Sequence, residues 1–221
     1  CMTVNAKTAL AALRDSDHPL GRPLALCLMF EPANDQWLAA SIFDLAIALD
    51  SALHIPSESL LAAIRVQWWV DSLSGSATQT APLVTRLQAQ FQNHKGLQLE
   101  IIDVIGHWQT ACHDENRDSV DGWAAIWALV ANHMGQAAQS AIATDIGHQL
   151  HHAIGRHERQ AALPLDRRQI SFLRQSDSGR KRSWLYLAAC WLRYLQRPNA
   201  DMHHPALVWQ MLAWQLFGPP K

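Results

Sequence analysis

Residues 64–73 read IRVQWWVDSL: two adjacent tryptophans, an arginine three positions before the first and an aspartate two positions after the second. Successive residues of an α-helix lie about 100° apart, so neighbouring indoles cannot share a face. Trp69 groups on the wheel with Ala62, Val66, Val70 and Leu73 and reads as a core residue. Trp68 falls with Asp71 and Ser72, one turn from Arg65. That second face either packs on another helix, with Arg65 stacked on an indole, or carries a function.

The flanks bound the helix and extend the pattern. Pro56 breaks the chain before it, Ser57 suits an N-cap with Glu58 in the first turn, and Gly75 suits the stop. Upstream, 34–53 carries Trp37, Leu38, Ile42, Leu45 and Leu49 at helical steps. Further helices are expected at 3–14, 82–93, 97–112, 121–134, 136–160 with a kink at Gly135, 183–196 and 205–217. DSDHPLGRP reads as a turn, and the basic, turn-rich stretch 167–182 as a loop whose SDSG segment is mobile. The expectation is one all-α domain over 1–221 with eight or nine helices and no β-hairpin. Cys1 stands before Met2 and reads as an added residue ahead of a native start.

Composition narrows the class. Eighteen Lys+Arg against nineteen Asp+Glu leave a formal charge of -1, which removes global charge as a reason for nucleic-acid binding. Four scattered cysteines form no CxxC pair or short disulfide framework, so a reducing compartment is expected. Wholly apolar runs such as AAIWALVA and LYLAACWL fall short of the roughly 18 residues a membrane span needs. The expected location is cytoplasmic, peripheral at most to the inner membrane surface. No Ser/His/Asp order, P-loop or GxGxxG occurs, so hydrolase and nucleotide readings lack a motif.

IRVQWWVDSL resembles the IRLQWWRDAL signature of the squalene/phytoene synthase family, in the bacterial branch similar to a mitochondrial complex I assembly factor. The likeness continues upstream without a gap: FEPANDQWLAASIFDLAIALD sits on the family's FAPAxRRPxLLALYAFNxELAR, and PSESLLAAIR on VSEPxLGEIR, covering 30–73. It implies an isoprenoid-synthase-like helical bundle whose active members join two prenyl diphosphates held by Mg²⁺. Carboxylate oxygens bind that metal, and acids at i and i+4 share a helix face, which gives physical sense to the family's DxxxD motifs.

In this register the family's acids are thinned. The first acid falls on Ala46, the glutamate of the non-enzymatic branch on Ala48, and Asp50 alone remains. Asp44 lies about 120° away from Asp50 on the wheel and cannot share a metal with it. The middle motif, near I[DE]xxRxDL in the family, reads IDVIGHWQ: Asp103 is kept, with Gly106 and Trp108 in place of the arginine and second acid. The late motif keeps Arg156 and has His157 for the aspartate. The resemblance thus implies a member without catalysis, lipid-binding or assembly-factor-like, in which Asp50, Arg65, Trp68, Asp71, Asp103 and Arg156 line the old cavity. No cofactor is expected. The alternatives are an active prenyltransferase using Mg²⁺, and a purely structural docking module.

Three other clusters have plainer readings. DENRD at 114–118 is a DxxxD string, but Asp118, Ser119 and Asp121 precede a helix and suit capping better than metal. Its DxNxD start fails as a calcium loop, with Ser119 for glycine and Ala125 for the bidentate glutamate. His148 and His152 have the spacing of a zinc pair, beside His151, His157 and Asp145. They lack the glutamate of HExxH and a third ligand, and read as a polar helix face. Arg167, Arg168, Arg174, Arg180, Lys181 and Arg182 precede Trp184, an arrangement suited to an anionic lipid surface or to a solvated loop before a core helix. Arg180, Lys181, Arg182 and Trp184 are the membrane-contact candidates. The expected partners are an isoprenoid or other lipid, or a protein.

Overall fold

The computed structural model describes residues 2–77, 81–155, 167–176, 183–195 and 207–217. They form α1 (Met2–Arg14), α2 (Gly21–Leu28), α3 (Ala33–His54), α4 (Ser59–Ser74), α5 (Pro82–Phe91), α6 (Leu97–Ala111), α7 (Val120–His133), α8 (Ser140–Gly155), α9 (Arg167–Ser176), α10 (Trp184–Leu195) and α11 (Leu207–Phe217). A 3-10 turn, Ala137–Gln139, leads into α8, and no strand occurs among the described residues. The all-α expectation holds.

α3 is the axis of the bundle. Leu38, Ile42, Phe43, Leu45, Ala46, Leu49 and Leu53 lie on different sides of it and are all fully buried. A helix apolar all round needs cover on every side, and α1, α2, α4, α5, α6 and α7 each pack on it. By length and composition α3 could cross a bilayer, which the count of unbroken apolar runs misses, but 78% of that window is buried inside the bundle.

An aromatic wedge joins the late helices to this axis. Trp127 of α7 and Trp184 of α10 stack at 5.1 Å, and Phe43 meets them edge-on at 5.2 and 5.7 Å. The backbone N–H of Trp184 donates to Glu31 Oε1 at 2.7 Å, so a side chain from the α2–α3 turn satisfies a free donor at the start of α10.

Two helices depart from the sequence reading. α2 occupies residues read as part of a turn: Pro23 sits in its first turn, where a proline costs no hydrogen bond, and Leu24, Cys27 and Leu28 are fully buried. α9 replaces the first part of the loop expected at 167–182, because Arg and Gln are good helix formers and Leu173 finds a fully buried place. Residues 177–182, including Arg180, Lys181 and Arg182, and residue 156 lie outside the described residues. Gly75 ends α4 at φ 81, and Gly135 at φ 74 turns the expected kink into a break between α7 and α8.

Candidate functional site

Asp50 lies one turn from the end of α3, where the apolar helix would otherwise bury a bare carboxylate at high cost. Oδ1 accepts hydrogen bonds from Trp108 Nε1 of α6 at 3.0 Å and from Ser119 Oγ at 2.6 Å. Oδ2 accepts one from Trp123 Nε1 of α7 at 3.0 Å and faces His18 Nε2 at 3.5 Å. A carboxylate offers about four lone-pair sites, and four donors converge on this one. Segments 58 and 73 residues further along the chain meet at one side chain.

The donors are themselves positioned. His18 Nδ1 accepts the backbone N–H of Leu20 at 3.2 Å, which places its proton on Nε2, toward Asp50. Trp123 stacks against His18 at 5.5 Å and against His151 at 6.2 Å. Gly122 makes room for the Trp108 ring, since a Cβ there would meet its atoms at 2.6–2.8 Å. Burial pushes the Asp50 pKa up, but His18, Ser119, Trp123 and Trp108 outweigh it and hold the group at about 2. Asp50 is therefore ionised at neutral pH. His151 moves down from the ordinary imidazole value, chiefly through burial.

Outside this hub lies a pocket of about 390 Å³, lined by His18, Asp50, His54, Arg117, Asp118 and His151 among others. Arg117, at φ 48, donates to the carbonyls of Leu53, Pro56 and Ser57, where α3 ends with unsatisfied acceptors. Asp118 Oδ1 accepts the N–H of Val120 at 3.0 Å in a turn one residue before the N-cap of α7, whereas the N-cap, Ser119, makes no side-chain cap bond and gives its hydroxyl to Asp50. On α8, His148 faces Asp121 at 3.5 Å and His151 faces Asp118 at 3.7 Å. Asp145 accepts from Gln169. No group of three histidine, cysteine or acidic side chains among the described residues is disposed around a common metal position.

The residues singled out in the sequence divide among several places. Asp50 is buried in the hub, whereas Asp103 is exposed on α6 and does not line the Asp50 pocket. Five positions before Trp108, it lies about 140° round the helix from the indole that reaches Asp50. The expected shared cavity of these two acids is not formed. Asp44 pairs instead with Arg86 of α5. Arg65, Trp68 and Trp69 line a groove of about 240 Å³ against α3. Trp68 and Asp71 border a second groove, of about 590 Å³, with Ala63, Ile64, Gln67 and Gln109. Asp71 accepts from Gln67 at 2.8 Å. The two indoles meet edge-on at 5.0 Å, and Trp69, expected in the core, is half-buried at its margin.

Trp184 is fully buried in the aromatic wedge, so its indole is a core group and cannot meet lipid headgroups. The sequence reading missed His18, Trp108, Arg117, Ser119 and Trp123 as partners of the α3 end. One signal for them was present: an acid in an apolar helix requires donors, and indole N–H groups are donors compatible with a core. No family model, curated protein or solved structure matches the chain.

Proposed function

We propose that this chain is a non-catalytic relative of the squalene/phytoene synthases that acts by binding, in a lipid-binding or assembly role. The observation that carries this reading is the saturation of Asp50 by Trp108, Ser119, Trp123 and His18. Mg²⁺ requires oxygen ligands at about 2.0–2.1 Å in near-octahedral order, and here it would have to displace those donors from a buried carboxylate. In the family register Ala46 takes the place of an acid and is fully buried among apolar side chains. Trp108 takes the place of another, the partner of Asp103, and gives its N–H to Asp50. With four donors around it and no second acid, Asp50 needs no metal to be stable.

The groove of about 590 Å³ beside Trp68 falls within the size range of small-molecule sites and has apolar walls from Ala63, Ile64 and Trp68. It suits an isoprenoid or other lipid tail better than a diphosphate, since Asp71 is the only charged group among its lining residues apart from a histidine. Incubation with farnesyl diphosphate and Mg²⁺, followed by solvent extraction, tests the reading. No squalene- or phytoene-like product is expected, and turnover to such a product overturns it. Heating with farnesol separates the two binding roles: a raised melting temperature supports a lipid site, and an unchanged one leaves the assembly role.

A further inference from the structure

We infer that the solvent face of α4 is a self-association surface, on which a second copy of this chain packs antiparallel about a two-fold axis. The inference is independent of whether the chain has transferase activity; Ile64, Gln67 and Trp68 also border the groove of about 590 Å³, so a second copy on this face and a lipid tail in that groove exclude one another. Of the nine large hydrophobic residues exposed in the described structure, four lie together: Ile55 is 71% exposed, Leu60 69%, Leu61 48% and Ile64 56%. Leu60, Leu61, Ile64 and half-buried Trp68 follow one side of α4 at steps of three and four, and Ile55, the C-cap of α3, lines the groove beside Arg65 and Trp68. A continuous apolar patch of about 300–600 Å² is the size at which surface patches are commonly functional.

The charges on this face point to a second copy rather than another occupant. Between residues 58 and 70 only Glu58 and Arg65 are charged, and both are exposed. Glu58 makes no capping hydrogen bond, and neither residue forms an ion pair with the described residues. Seven positions apart, they lie on the same side of the helix. A two-fold axis between Leu61 and Ala62 sets Glu58 of each copy against Arg65 of the other. The contact is self-complementary, as a two-fold interface must be, and forms twice. An anionic lipid surface gains little from this face, because its two charges cancel. A standard interface takes about 800 Å² from each partner, more than four side chains supply, so Gln67 and Trp68 are included and the dimer is reversible.

Sedimentation equilibrium of the full chain over a concentration series tests the inference. A monomer–dimer equilibrium is expected. Ile64→Glu should abolish it, with far-UV circular dichroism unchanged because the side chain is exposed. Glu58→Arg and Arg65→Glu should each weaken the dimer by about tenfold or more through like-charge contacts, and the double variant carrying both changes should restore it. A monomer at every concentration overturns the inference, including one that instead floats with phosphatidylcholine vesicles through this face. So does a dimer indifferent to Ile64→Glu, or a double variant that stays weak.

Discussion

Asp50 and Arg65 carry opposite charges on adjoining helices, and the fold treats them in opposite ways. The α3 acid is buried and meets four donors from three other parts of the chain. The α4 cation is exposed among uncovered apolar side chains. A buried polar group must be satisfied within the molecule, because water cannot reach it, so Asp50 fixes the positions of α6, α7 and the α1–α2 turn. A surface group has no such obligation, so the α4 face is free to carry recognition. Stability is concentrated at the first and interaction at the second.

Substitutions can break this contrast. Asp50→Ala should cost the most, roughly 3–5 kcal/mol, since it leaves two indoles, a hydroxyl and an imidazole facing a void. Urea unfolding measures it, and a loss below about 1 kcal/mol would remove Asp50 as the organising group. Gly122→Ala acts on the same hub without touching a charge. Its methyl would press on the Trp108 ring and should destabilise by about 1–3 kcal/mol, shifting the same urea midpoint.

Acid provides a third probe. The Asp50 pKa is held at about 2 in the fold, below the ordinary aspartate value of 3.8. A depressed carboxylate stabilises the fold above its unfolded pKa, and the contribution disappears as pH falls through the folded one. Roughly 2 kcal/mol should therefore be lost between about pH 4 and pH 2, and Asp50→Asn should flatten that part of the stability–pH curve. The smallest effects belong to the other region. Leu60→Ser and Glu58→Ala, unfolded at concentrations where the chain is monomeric, should change stability by no more than about 0.5 kcal/mol. A larger change would mean that the α4 face is part of the folded core.

What could be read from the sequence follows the range of the forces involved. The limits of α4 were legible because Pro56 and Gly75 act locally, and α3 because its apolar residues recur at helical steps. α2 was hidden by Gly21 and Pro23, whose turn chemistry is also compatible with a helix start, and α9 by its polar composition. At the site, Asp50 was identified but its partners were not. Trp108, Ser119 and Trp123 are 58 to 73 residues away, and no local pattern links them to it. The histidines show the same limit. The spacing of His148 and His152 within one helix drew attention, whereas the contacts formed run between helices, His148 to Asp121 and His151 to Asp118.

The most direct measurement is the melting temperature with farnesyl diphosphate, with and without Mg²⁺, for the native chain and for Asp50→Asn, each compared with its own ligand-free form. If Asp50 is a structural hub, any stabilisation by the prenyl ligand is the same with and without Mg²⁺ and survives the substitution. A Mg²⁺-dependent rise that vanishes in Asp50→Asn would make Asp50 a metal ligand and contradict the non-catalytic reading.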